Sequence, residues 1–234
     1  MATDRGTRTE LHRIAAHVLA RRRYQVSGRF GLRASPGGIA TPAFGDGPET
    51  IRTAGATLVR EVAGVATYLP MIGAKLRDLA VFAGADLDAD FSAGADTPPV
   101  GDVDDPLDLD VNQLAVIAGW YDLGWRVLDA VVADLPPAAE PATIQLWPEH
   151  FDAGTNVGLA SGERVNLGFS PGDAYEAEPY AYVGPWSSDR RGDPKFWNAP
   201  FGAVLRRSVA LESSEPAQMC ADFLRTGLRH VSGS

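Results

Sequence analysis

Ala153-Gly154-Thr155-Asn156-Val157-Gly158-Leu159 and Arg164-Val165-Asn166-Leu167-Gly168-Phe169 read as two strands joined through Ser161-Gly162. So short a connection suits only antiparallel neighbours. Working outward, residues 142–147 and 179–183 predict further strands, and 204–210 one more. Upstream lies the clearest helix, in which Val111, Leu114, Ala118, Tyr121, Trp125, Leu128, Val132 and Leu135 recur at alternate spacings of three and four. Asp110 and Gln113 are placed as a capping box, and Pro136-Pro137 stops the helix. A closing helix near 215–229 has Ser214 as its cap, Pro216 in its first turn, and Cys220, Phe223, Leu224 and Leu228 inward.

The amino-terminal part mixes elements in the same way. Leu11, Ile14, Ala15, Val18 and Leu19 predict an amphipathic helix over 9–22. Tyr24, Val26, Phe30 and Leu32 alternate around Gly28 and predict a strand bent there, ended by Ser35-Pro36-Gly37-Gly38. Segments 50–54 and 57–62 predict a hairpin turning near Ala54-Gly55-Ala56. Residues 70–83 predict a helix with Pro70 in its first turn and Ile72, Leu76, Leu79 and Ala83 inward. Separate strand runs and helices, without regular β-α-β alternation, predict an α+β fold: mainly antiparallel sheet structure with about four principal helices. The expected organisation is a single compact domain over 1–234, or two intimately packed halves, 1–85 and 110–234, joined by an acidic connection over 86–109. Ser35-Pro36-Gly37 and Ser170-Pro171-Gly172, with Leu32 and Leu167 at one offset before them, raise an internal repeat, although Ser-Pro-Gly is also a common turn.

Composition narrows the classes. With 45% hydrophobic and 22% charged residues, the chain reads as soluble and globular rather than disordered. No stretch approaches the roughly 20 apolar residues of a membrane span, and the polar start from Met1 to Arg8 lacks a signal peptide's apolar core. A lone cysteine, Cys220, excludes an internal disulfide and fits a reducing cytoplasm. The use of 19 Arg against 2 Lys, with abundant Ala, Gly, Val and Asp, is the mark of a GC-rich bacterial coding sequence. Residues 1–33 carry a net charge of +6 and residues 86–140 one of −12, so the two segments are expected to face each other. An overall charge of −9 opposes nucleic-acid binding by Arg21-Arg22-Arg23.

Residues 147–202 hold 10 of the 20 aromatic residues, interleaved with short polar strings and turn-forming Gly and Pro. Trp147, Tyr180, Tyr182, Trp186, Trp197 and Asn198 are the candidate ligand-binding residues, the rings serving either as a platform or as cover for a sheet. His150, Asp152 and Asp173 are the candidate catalytic groups, because a histidine oriented by a carboxylate can act as a base. His150 and Asp152, completed by Asp173 or Glu178, would also suit a divalent metal; the alternative is that these groups hydrogen-bond within their own turns. Asp86, Asp88 and Asp90 begin a calcium-loop spacing that fails at Phe91 and Thr97. Gly168-Phe169-Ser170-Pro171-Gly172 spells a nucleophile elbow, yet Pro171 lacks the N–H needed as oxyanion donor, which leaves a structural turn.

The strings Trp147-Pro148-Glu149-His150-Phe151-Asp152, Asn166-Leu167-Gly168-Phe169-Ser170-Pro171-Gly172-Asp173, Glu178-Pro179-Tyr180-Ala181-Tyr182-Val183-Gly184-Pro185-Trp186 and Phe196-Trp197-Asn198-Ala199-Pro200-Phe201-Gly202-Ala203 resemble an uncharacterised family of cytoplasmic bacterial proteins. Gly28-Arg29-Phe30-Gly31-Leu32-Arg33 and Pro36-Gly37-Gly38 fit it too. The carboxy-terminal part is similar to a broader group of domains of unknown function. Neither resemblance implies an activity or a cofactor. The functional expectation is a small-molecule-binding protein, catalytic or not, with its pocket in 147–202. The alternatives are a structural or protein-interaction module and a divalent-metal enzyme using His150 and Asp152.

Overall fold

A computed structural model describes residues 6–233; most of the polar start, residues 1–5, lies outside the described residues, as does Ser234. The fold is α+β, with two five-stranded antiparallel sheets. The first comprises β1 (Arg33–Ser35), β2 (Gly38–Ala40), β3 (Glu49–Ala54), β4 (Thr57–Val62) and β5 (Val65–Pro70). The second comprises β6 (Gln145–Trp147), β7 (Asp152–Gly158), β8 (Arg164–Ser170), β9 (Tyr180–Pro185) and β10 (Ala203–Arg206). In both, strand order follows the chain. The sequence helix, five-strand meander, helix therefore occurs twice, but the Ser-Pro-Gly turns do not correspond: one joins β1 to β2 and the other ends β8.

Two compact units are formed: Met1–Gly119 with Leu146–Phe151, and Trp120–Gln145 with Asp152–Ser234. The acidic connection 86–109 lies within the first unit. The division between the two units passes through the long helix α4 (Val111–Ala133).

In the first unit, α1 (Gly6–Ile14), a π segment (Ala15–Ala20) and α2 (Arg21–Ser27) form one helical stretch. Leu11, Ile14, Ala15, Val18 and Leu19 are buried, as their spacing predicts. The strand expected from Tyr24 is corrected: Tyr24 and Val26 complete the helix. Gly28, at φ 68°, ends it in the left-handed conformation, its N–H bonding to Tyr24 O at 2.8 Å. Alternation of only two apolar residues on either side of a glycine did not distinguish a strand from a helix end. The hairpin at Ala54-Gly55-Ala56 forms as expected between β3 and β4. β5 went unforeseen, and it takes up Pro70, so α3 begins later, at Leu76, and runs to Ala83 with Leu76, Leu79 and Ala83 buried. Ile72 is exposed.

A second helix face is buried as well. Glu10, Arg13, His17 and Arg21 follow one another at spacings of three and four, and all are buried. Arg13, His17 and Arg21 grip the acidic connection by its backbone, and Glu10 pairs with Arg13. Arg13 donates to Val100 O at 2.9 and 2.7 Å and to Asp102 O at 2.6 Å. His17 Nε2 bonds to Pro98 O at 2.7 Å, and Arg21 Nη1 donates to Leu87 O and Ala89 O at 2.9 and 2.7 Å. The basic helix thus holds the acidic connection through its carbonyl oxygens, which satisfies backbone that has no regular ladder of its own.

His12 fastens the turn after β6. Its Nε2 donates to Pro148 O at 2.8 Å and its ring stacks on Phe151 at 4.8 Å. Burial lowers its pKa to about 4, against an upward pull from the Pro148 hydrogen bond. A depressed histidine pKa means that the unfolded chain binds the proton more readily, so the stability it confers is whole above about pH 6.5 and is lost as pH falls toward 4. Acidification through that window should cost up to about 3 kcal/mol. Urea unfolding at successive pH values measures the loss, and His12→Gln, which still offers a donor, should flatten it; an unchanged pH profile would contradict the assignment.

The second unit's core lies on one face of its sheet. Trp120, Val127, Leu128 and Val131 from α4, and Cys220, Ala221, Leu224, Leu228 and Val231 from α6 (Pro216–Ser232), pack with Val157, Val165, Leu167, Phe169, Ala181 and Val183. Asp110 caps α4 through Gln113 N at 2.8 Å, as its position predicts. Val111 proves exposed, whereas Trp120, Val127 and Val131 widen the buried stripe. Residues 204–210 are only partly strand: β10 gives way to α5 (Arg207–Leu211). Helix α6 begins after Glu215, without the side-chain cap expected of Ser214. No helix among the described residues is long and apolar enough to cross a membrane.

Candidate functional site

Strand alternation sorts β7, β8 and β9 into two faces. Ala153, Val157, Val165, Leu167, Phe169, Ala181 and Val183 lie on one face, which leaves Asp152, Gly154, Gly168, Ser170, Tyr180 and Tyr182 on the other, where all but the half-buried Tyr182 are buried too. Register pairs Gly154 with Gly168, and Gly168 with Tyr182. The Tyr182 ring leans across this row: a Cβ on Gly168 would overlap its Cζ and Oη. Missing side chains at neighbouring positions let the phenol reach Asp152, whose Oδ2 accepts its hydrogen bond.

A second pair stands beside the first. Tyr180 donates to Asp173 Oδ2 at 2.5 Å, while Asp173 Oδ1 accepts the N–H groups of Tyr175 and Glu176 at 2.8 and 3.0 Å. This turn is tied further to the sheet's end by Arg206–Glu176 at 2.6 Å, by Ser208 Oγ donating to Glu178 at 3.0 Å, and by Arg207 N bonding to Pro179 O at 2.7 Å. Burial, then the Asp173 hydrogen bond and charge, raises the Tyr180 pKa. Burial and the Asp152 charge raise that of Tyr182. Both phenols therefore stay protonated at neutral pH and act as donors, not as tyrosinate bases.

Four rings close a circuit around these pairs. Tyr175 lies 6.4 Å from Tyr180, Tyr180 lies 6.2 Å from Tyr182, Tyr182 lies 6.4 Å from Phe201, and Phe201 lies 5.1 Å from Tyr175. Tyr180 is buried, whereas Tyr175 and Phe201 are 45% and 38% exposed.

The structure thus gathers Asp152, Asp173, Tyr180 and Tyr182 and distributes the other candidates elsewhere. Trp147 and His150 belong to the first unit. There His150 is exposed between Asp96 at 3.5 Å and Glu149 at 3.4 Å. Glu178 serves Ser208. Trp186, 66% exposed, donates to Asn166 Oδ1 at 3.0 Å. Trp197 donates to Arg191 O at 2.7 Å and meets Phe196 and His230, while Asn198 exchanges two hydrogen bonds with the Val204 backbone. These are turn and packing roles. Among the described residues no three His, Cys, Asp or Glu side chains form a group able to hold a metal ion. His150, Asp152, Asp173 and Glu178 instead find the separate partners just named. Ser170 is buried and accepts Gly172 N at 3.1 Å, as a turn residue does.

No protein-family model, curated protein or solved structure matches this chain.

Sequence reasoning missed Tyr175, Phe201, Gly154 and Gly168. The glycines carried a signal, since each interrupts a strand at a position where a large ring crosses.

Proposed function

We propose that the second unit binds a small molecule on its Tyr180 and Tyr182 face, between the four-ring circuit and the carboxylates of Asp152 and Asp173. The observation that carries this reading is the pairing of two tyrosine–carboxylate hydrogen bonds beside an aromatic circuit, on the sheet face opposite the one that packs on α4 and α6. Aromatic walls with a few fixed polar groups are the usual makeup of a ligand site. The turn bonds of Asp173, Glu176 and Glu178 support preorganisation, which limits the entropy lost on binding. The protein acts in this reading as a cytoplasmic binding protein, in keeping with the buried free thiol of Cys220.

Thermal-shift screening against a broad metabolite panel tests the proposal. A ligand at a hundred times its Kd adds about 2.7 kcal/mol to apparent stability. Hits should raise the midpoint of the wild type and lose that effect in Phe201→Ala. A panel without hits would favour a structural or protein-interaction module.

A further inference from the structure

Arg13, His17 and Arg21 stand a helical turn apart on one buried face of the first unit's opening helix. His17 is the middle member, and its two ring nitrogens meet opposite demands. Nε2 lies 2.7 Å from Pro98 O, a carbonyl that only accepts, so this nitrogen carries the hydrogen. Nδ1 lies 3.3 Å from Arg21 Nη2, which only donates. Both bonds are therefore made by the neutral ring alone. A second proton has to enter on Nδ1, pointing at the guanidinium that donates to it.

The groups around the ring oppose that proton. Burial lowers the proton affinity of His17 first; the Pro98 carbonyl pulls the other way, and the charges of Arg21 and Arg13 lower it further. Glu10 is engaged by Arg13 at 2.6 Å, and His12 adds like charge when protonated. From the connection, Asp86, Asp88 and Asp90 act on Arg21. Helix α3 packs on the same stretch, and its buried side chains, Leu76, Leu79, Ala80 and Ala83, are apolar. Once the connection lifts away, water reaches the ring and both arginines, and His17 regains the ordinary histidine affinity. The open form then binds the proton more readily than the closed one. The grip is therefore whole above about pH 6.5 and weakens as pH falls. We propose that His17 is the pin of an acid-released latch: a proton on Nδ1 breaks the Arg21 hydrogen bond, sets three cations in a row, and lets the connection lift off the helix between Asp86 and Asp102 while the unit's sheet stays folded.

Amide hydrogen exchange of the full chain, read by nuclear magnetic resonance, is the test. The amides of Ala93 and Thr97, bonded to Thr97 Oγ1 at 2.9 Å and to Gly94 O at 3.2 Å, report on the connection; that of Ile51, bonded to Thr41 Oγ1 at 2.9 Å, reports on the sheet. Corrected for the intrinsic effect of pH on exchange, protection at Ala93 and Thr97 should fall by up to about tenfold per pH unit below about pH 6.5. Ile51 should stay the more protected at every pH, as local opening requires. His17→Gln keeps a donor for Pro98 and an acceptor for Arg21 but takes no proton, so it should hold the connection's protection constant, whereas His12→Gln should leave the fall in place. Should His17→Gln unfold, the nitrogen-15 shifts of the wild-type ring serve instead. They should show hydrogen on Nε2 at neutral pH and a second proton arriving over the range in which protection is lost. Protection that ignores acid, that falls equally in His17→Gln, or that matches Ile51 throughout overturns the inference, and so does a neutral ring with its hydrogen on Nδ1.

Discussion

Arg13→Ala is expected to destabilise the first unit by about 3–5 kcal/mol, far more than the loss of a surface cation, worth about 1 kcal/mol or less. Arg13 is 3% exposed, salt-bridged to Glu10 at 2.6 Å and bonded to the carbonyls of Val100 and Asp102. Alanine removes donors from two backbone acceptors in a segment without strand or helix. The damage should therefore localise. Urea unfolding reads the total loss, and limited proteolysis should show new cuts within 86–109 that the wild type resists. A loss below about 1 kcal/mol, with that segment still protected, would mean that the arginine is an ornament of the helix and that something else holds the connection.

Gly168→Ala should cost about 3 kcal/mol or more, combining overpacking with disturbance of a hydrogen bond to a carboxylate. Backbone propensity argues the opposite sign, because replacing glycine inside a strand ordinarily gains about 0.5–1 kcal/mol. Position decides between them. The added Cβ would coincide with the hydroxyl end of Tyr182 and displace it from Asp152. Adding Tyr182→Ala to Gly168→Ala should remove the clash, so the double variant should be less destabilised than the sum of the single ones. Additive losses, or a stabilised Gly168→Ala protein, would contradict the placement of the Tyr182 ring.

The fold class was legible because its determinants are local. Strand runs around Ser161-Gly162 and the three-and-four spacing of α4 carry their own periodicity, and both appear where expected. Glu10, Arg13, His17 and Arg21 share that periodicity but went unread, since a charged stripe ordinarily faces water. What buries it is a backbone some 80 residues away, and no local pattern encodes which carbonyls will need donors. The candidate site shows the same limit. Tyr180 and Tyr182 fall on one face by simple alternation, and the structure keeps them there. Their carboxylates do not follow from spacing: Asp152 stands 30 residues from Tyr182 and meets it only through the β7–β8–β9 register. His150, two residues from Asp152 in sequence, belongs to the other unit, so proximity along the chain misled where topology decides.

The central claim concerns where a ligand lands, and the six tyrosines supply both probe and control. Tyr175, Tyr180 and Tyr182 lie in the circuit, whereas Tyr24 and Tyr68 belong to the first unit and serve as controls. With carbon-13 in the tyrosine rings and each resonance assigned by Tyr→Phe substitution, titration with the strongest thermal-shift hit should move the signals of Tyr175, Tyr180 and Tyr182 together and leave those of Tyr24 and Tyr68 in place. Movement confined to Tyr24 or Tyr68, with the circuit silent at saturation, would place the ligand elsewhere and contradict the account.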